Sequence, residues 1–219
     1  MLRALFEKTG NAIYISHLDL MRVFQRGFKR AGLSLTHTQG YSPRPSVSIA
    51  LPLSVGVESH CELLDFTLDG EPVSCEEIMA RLNSALIEGV RVLKVYDDGD
   101  KIKNISLLDC AVYLEYDKGI PANAENGIKS LFARSCLTVE KRGKNGVAQQ
   151  DIIPLIRNLQ VCIEDANTIC LNVRICCQNP ALNPMQITAA IEANIPELRP
   201  DFARYCRKEI YRLDESIFR

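Results

Sequence analysis

Ser16-His17-Leu18-Asp19-Leu20-Met21-Arg22-Val23-Phe24-Gln25-Arg26-Gly27-Phe28-Lys29-Arg30-Ala31-Gly32 reads as one amphipathic helix, and its place between strands decides the fold. Its start is well specified. Ser16 is an N-cap residue, and Asp19 three positions on sets a carboxylate at the positive end of the helix. At 100° per residue, Leu20, Met21, Phe24, Phe28 and Ala31 share one side. Arg22, Arg26, Lys29 and Arg30 fall on the other, and Gly32 suits the C-terminal cap.

Working outward, Leu2–Glu7 reads as a strand before this helix. Val47–Leu53 and Cys61–Leu68 alternate enough to pair as two more. Ser74–Glu88 is a second helix, capped by Ser74 with Glu77 at N3 and striped by Ile78, Leu82, Ala85 and Leu86; Val90–Tyr96 is a further strand. Strand, helix, strand, strand, helix, strand is the ferredoxin-like order. After the polar link Asp97–Lys101 the order repeats. It runs through a strand at Leu107–Tyr116, a helix over Pro121–Arg134 that Gly127 could shorten, and a strand at Cys136–Lys141. A turn at Arg142–Gly146 and a strand-rich insertion over 147–163 follow. A strand at Asn167–Cys176, a helix at Pro184–Ala193 capped by Asn183, and a last strand at Ala203–Leu213 complete it. The expected fold is α+β: tandem ferredoxin-like (βαββαβ) halves over 1–98 and 105–219, the second decorated with extra strands around 142–163.

A chain of 219 residues with 47% hydrophobic content can bury a real core. No run nears the roughly 18 apolar residues of a membrane span. Met1–Lys8 is too short and too charged for a secretory signal, so a cytoplasmic protein is expected. Nine cysteines, an odd number with no C-x-x-C pair, sit mostly in apolar strand-like runs. That suits reduced, buried thiols rather than disulfides or a metal site. Cys176 and Cys177 are adjacent, and strand alternation forbids both facing a core; one should be accessible. The formal net charge of −1 hides an asymmetry. Residues 1–45 carry seven lysines and arginines against two acids, whereas 46–100 carry three against eleven.

The chemistry concentrates in the first sixty residues. Arg22, Arg26, Lys29 and Arg30 project together, and Arg44 sits in the loop Gln39–Pro45, which could reach the same side. Clustered cations suit phosphates, because each contact is charge-assisted and releases counterions. A solvated face paired with the chain's own acids, or a protein-docking face, has the same pattern. In the loop, Tyr41 either stacks a base or caps the core, Ser42 and Arg44 offer phosphate or base-edge contacts, and Pro43 and Pro45 stiffen the backbone. His17 lies about 60° from Leu20, inside the apolar sector. It is open to a structural, a binding or a general-base role, with burial and the helix N-terminus favouring the neutral ring. His37 is read as a possible neighbour of His17, and His60 precedes Cys61; no spacing among the three marks a metal site. No phosphate-binding Gly-rich loop, G-x-S-x-G or iron–sulfur triad occurs. No cofactor is expected.

The string Ser16–Arg22, continued by Arg26, Arg30, Gly32-Leu33, Gly40-Tyr41-Ser42-Pro43-Arg44-Pro45, Pro52-Leu53 and Gly56-Val57-Glu58-Ser59, resembles the uncharacterised radical-SAM-linked protein family, most specifically over residues 1–65. Where that family usually reads Phe-Asn-Pro-His-Pro, this chain has Tyr41-Ser42-Pro43-Arg44-Pro45, which removes a loop histidine. The resemblance implies a radical SAM protein as partner, and by association an RNA substrate. Tandem ferredoxin-like halves with a histidine on the first helix also resemble CRISPR repeat-processing endonucleases, but the late loop Asn179–Pro184 lacks their glycines. The expected function is an RNA-binding accessory protein that presents tRNA or rRNA to a radical SAM enzyme, with Arg22, Arg26, Lys29, Arg30 and Arg44 on phosphates and Tyr41 stacking. A metal-independent endoribonuclease using His17, or a module docking on the radical SAM partner, are the alternatives.

Overall fold

A computed structural model describes residues 1–143 and 146–219, without the side chains of 142 and 143. The protein is α+β, with ten strands and four α-helices among the described residues. It divides into two compact units, Met1–Ile102 with Arg219, and Lys103–Phe218.

In the first unit, β1 (Leu2–Lys8) leads through a 3-10 turn at Gly10–Tyr14 into α1 (His17–Arg30). Then follow β2 (Val47–Ile49), β3 (Val57–Phe66), α2 (Cys75–Ala85) and β4 (Val90–Tyr96). β1 lies between β4 and β3, antiparallel to both, and β2 pairs antiparallel with β3. Both helix starts form as their sequences dictate. The Ser16 and Ser74 hydroxyls accept from the amides of Asp19 and Glu77, each at 3.2 Å. Alternation sends Ala4 and Phe6 of β1 and Leu64 and Phe66 of β3 into one core with Leu20, Phe24 and Phe28 of α1 and Ile78 and Leu82 of α2. Phe6 meets Phe24 edge-on at 4.7 Å, and Phe28 tilts on Phe66 at 4.9 Å. Met21 and Ala31 pack against the same core, completing the apolar side read from the periodicity.

The opposite alternation sets Arg3 directly across from Asp65 on one neighbour and Tyr96 on the other. Arg3 is 3% exposed. Its guanidinium donates to both Asp65 carboxylate oxygens, at 2.6 and 3.0 Å, and to the Asp100 carbonyl at 2.7 Å. The segment read as a polar link is therefore tied back to β1. β2 is shorter than expected, because Leu51 takes a left-handed φ of 49° and Pro52 lacks an amide donor.

The second unit contains β5 (Leu107–Glu115), α3 (Ala124–Phe132), β6 (Thr138–Gly143), β7 (Gly146–Asp151), β8 (Ile156–Ile163), β9 (Thr168–Cys176), α4 (Met185–Asn194) and β10 (Phe202–Tyr211). Its main sheet runs β10-β5-β9-β8, all antiparallel. Here the sequence reading needs correction. The strand expected at Cys136–Lys141 does not join the sheet; β6 pairs with β7 in a separate hairpin. β8, inside the segment read as insertion, takes the sheet position instead. Pairing across a short connection closes a smaller loop than pairing with the distant β9. α3 is also shorter than 121–134, starting after Asn123 in a left-handed conformation. The turn at Arg142–Gly146 includes residues 144 and 145, outside those described. At α4, the Asn183 side chain accepts from the Met185 amide while Gln186 accepts from the Asn183 amide, a reciprocal cap at 3.0 Å on each side. Two arginines sit over tyrosine rings of this sheet: Arg174 over Tyr211 at 4.0 Å, paired with Asp109, and Arg204 over Tyr113 at 4.6 Å, paired with Glu115. No helix is long and apolar enough to cross a membrane, among the described residues.

The most consequential polar contact of the first unit is buried. Lys8 is 1% exposed, and its Nζ donates to the carbonyls of Ile13 at 3.0 Å and Ile15 at 2.8 Å. Burial lowers its pKa from the ordinary lysine value, with Glu62 opposing that shift. Lys8→Met keeps the bulk and removes the ammonium from both carbonyls; Ile13 keeps the Gly56 amide as a donor while Ile15 loses its side-chain donor, so the change should cost about 1–3 kcal/mol. A lower urea midpoint with an unchanged slope would show this.

Candidate nucleic-acid interface

α1 exposes all four cations singled out by its periodicity, but it does not leave them equivalent. Arg22 belongs to the helix start: the Ser16 hydroxyl donates to Asp19 at 2.7 Å, and Asp19 accepts from Arg22 at 2.7 Å. The Ser16 hydroxyl, and after it the Arg22 guanidinium, hold the Asp19 carboxyl below the usual carboxylate range. Arg30 donates through Nε at 3.1 Å, and through a second nitrogen, to the carbonyl of Ala85, the last residue of α2. It thereby satisfies a carbonyl at a helix end that has no intrahelical partner. The side chains of Arg26 and Lys29 form no hydrogen bond or ion pair among the described residues.

The loop expected to be merely stiff is an extended hairpin. His37 and Pro45 form an isolated antiparallel bridge. The Thr38 amide donates to the Arg44 carbonyl at 2.8 Å, the Arg44 amide to the Thr38 hydroxyl at 3.1 Å, and the Ser46 amide to the Thr36 carbonyl at 2.7 Å. Its root is held by Thr36 donating to the Thr67 carbonyl at 2.9 Å. The tip bends at Gly40, whose φ of 139° is one that side chains rarely adopt. Tyr41 stands at this tip with a relative exposure of 107%, so the core-capping role open to it in the sequence is excluded. Ser42 and Arg44 are exposed beside it, and the Arg44 side chain has no ion pair among the described residues.

Lys29 of α1 and His37 and Pro45 of the hairpin line one open groove of about 440 Å³. The structure thus brings Lys29, and next to it Arg26, alongside the hairpin that carries Tyr41, Ser42 and Arg44. It does not bring His17 there. His17 is the half-buried first residue of α1, twelve residues before Lys29 and so about 18 Å away along the helix axis. His37 is accordingly no neighbour of His17. His60 lies elsewhere, with Glu7 at 3.5 Å and Glu58 at 3.6 Å. Gln25 and Ser34 are groove residues that the sequence did not single out, and His37, expected near His17, lies here instead. Gln25 lies one turn before Lys29, the only hint of its position.

The nine cysteines are free thiols. Cys176 and Cys177 are both half-buried, rather than one facing in and one out, because β9 ends at Cys176. Burial pushes the Cys110 thiol up to about 12, and those of Cys170 and Cys177 to about 11, so all three stay protonated near neutral pH. A thiol-labelling time course on the native protein should therefore mark the exposed Cys136 and Cys162 first. Cys110 and Cys170 should react only as the chain unfolds.

Fold and site together define an α+β protein with a cationic helix face beside an aromatic-tipped hairpin. The chain belongs to the family described as "Uncharacterized protein conserved in bacteria (DUF2344)", whose sequence pattern matches residues 1–184. No curated protein matches the chain significantly in sequence. A crystal structure of an unknown protein from Galdieria sulphuraria is 9% identical, over 94% of this chain and 96% of that one. Its TM-score of 0.27 is too low to bear on fold or function.

Proposed function

We propose that this protein is an RNA-binding accessory protein of the cytoplasm that presents RNA, a tRNA or an rRNA, to a radical SAM partner enzyme. The observation that carries the reading is the set of unengaged cations, Arg26, Lys29 and Arg44, next to the fully exposed Tyr41. Cations without carboxylate partners can meet phosphates without first breaking an ion pair, and an aromatic ring in water gains by stacking on a base. Arg22 joins them at small cost, since its pair with Asp19 is solvent-exposed. Arg30 contributes charge while remaining docked on α2. The radical SAM partner rests on the resemblance over residues 1–65, and that enzyme would supply the iron–sulfur chemistry. Tyr14 and Leu18, 66% and 69% exposed, offer apolar surface for docking it around the start of α1, away from Lys29.

The strand orders β4-β1-β3-β2 and β10-β5-β9-β8 support reading both units as ferredoxin-like halves, the β6–β7 hairpin being the decoration of the second. The endoribonuclease reading places His17 as general base; its place at the start of α1, about 18 Å along the helix from Lys29, separates it from the cations and Tyr41 that carry the main reading. Cleavage of RNA by the purified protein in EDTA, lost in His17→Ala, would restore the endoribonuclease reading.

Fluorescence anisotropy with bulk tRNA and a single-stranded RNA across a salt series tests the main proposal. Arg26→Ala with Lys29→Ala should weaken binding about tenfold and flatten the log–log salt slope by about 1.4 for a single strand. Arg30→Ala should instead act on stability, lowering the melting temperature with a smaller effect on the slope. An unchanged slope in the double variant would sink the proposal, as would a wild-type protein that ignores RNA at low salt.

A further inference from the structure

We propose that the groove between the last two turns of α1 and the stem of the 36–46 hairpin holds one unstacked nucleobase of a single-stranded RNA. This rests on the RNA-binding reading above and names the part of the RNA that the site selects. The groove measures about 440 Å³, within the range of about 300–1,000 Å³ typical of small-ligand clefts. Its floor is apolar: Phe28 and Leu33 are buried and Leu35 half-buried. Its rim is polar: the side chains of Gln25, Lys29, Ser34 and His37 surround that floor. None of these four makes a side-chain hydrogen bond among the described residues.

This combination matches one chemistry. A nucleobase has two apolar faces, an edge that mixes donors and acceptors, and a phosphate at fixed reach from its ring. The faces suit the apolar floor together with the His37 imidazole and the apolar Pro45 ring, since histidine is among the side chains that stack unpaired bases. The Gln25 carboxamide and the Ser34 hydroxyl each donate and accept, so either can meet a Watson–Crick edge. Lys29 takes the phosphate, and Arg26, one turn earlier on α1, the next. An aliphatic side chain or acyl chain would fill the floor but leave the cation and the three hydrogen-bonding groups without partners. A paired base is excluded because its edge is already occupied and its faces are stacked. Tyr41 lies four residues from Pro45, within about 13 Å along the extended hairpin, and stacks an adjacent base of the same strand.

The test compares fluorescein-labelled oligouridylate, oligoadenylate and a fully paired RNA duplex on the full chain, for the wild type, Gln25→Leu and His37→Ala. The two variants lie on different elements, and thermal melts confirm that each folds. The wild type should prefer the single strands and discriminate between the homopolymers. Each variant should lose that discrimination and about tenfold in affinity, with an unchanged salt slope, because no phosphate contact is removed. Wild-type affinity and base preference in both variants would overturn the base site while leaving the RNA-binding reading intact. Equal affinity of the wild type for duplex and single strands would overturn it as well. Failure of the wild type to bind any of the three probes at low salt would remove the RNA-binding reading itself.

Discussion

Lys8 sits at the end of β1, with the ammonium of a long cationic side chain sunk to 1% exposure, where it donates to two backbone carbonyls of the crossing to α1. The Ile15 carbonyl and the Ile13 carbonyl, which also accepts from the Gly56 amide at 2.9 Å, are thereby held together at the end of the 3-10 turn at Gly10–Tyr14. The same crossing is gripped from the other side, where the Thr9 amide donates to the Gly89 carbonyl at 2.8 Å. A side chain at Gly89 would lie 2.4 Å from the Thr9 carbonyl oxygen, so the approach needs glycine. Together these contacts place Ser16, and Ser16 starts α1. A slip of one residue there would turn the helix by 100° and drive its cations toward Phe6 and Phe66. The cationic surface at one end of the unit therefore depends on a buried cation at the other.

The cations of α1 divide their labour. Arg22 completes the network of the helix start, and Arg30 satisfies the last carbonyl of α2. Gly27 faces α2 closely, since a Cβ there would lie 3.0 Å from the tip of the Leu86 side chain. Arg26 and Lys29 carry no such duty, which is why they, with Arg44, define the surface. Formal charge along a helix face thus overstates what is available to a ligand. The arginines of the second unit make the same point: Arg174 and Arg204 sit over tyrosine rings and pair with carboxylates, serving the sheet that carries them.

Local rules made most of the first unit legible. Capping serines, a 3.6-residue apolar stripe and alternating strands are set by neighbours within a few residues, and each element reappears, although β2 ends four residues early and β3 begins at Val57 rather than Cys61. The basic face and a stiff loop over Gln39–Pro45 could likewise be found from periodicity and from proline positions, although not that the loop is the tip of a hairpin. The second unit was read less well because two neighbouring segments had equal claim to the strand beside β9. Choosing between Thr138–Gly143 and Ile156–Ile163 depends on competing loop closures that no local pattern records.

The sequence by itself determined which residues bear charge, which face of α1 is apolar, and where both helices of the first unit begin, because these follow from side-chain chemistry and helical geometry. Only the tertiary structure decided that Tyr41 stands in solvent, that Arg30 is engaged with α2, and that His37 shares a groove with Lys29 while His17 lies a helix-length away. Those facts depend on where the chain returns after α1, and that path is set by the sheet edge to which Thr36 and Ser46 are anchored through Thr67. Proximity between residues far apart in sequence is a property of packing, and no spacing along the chain encodes it.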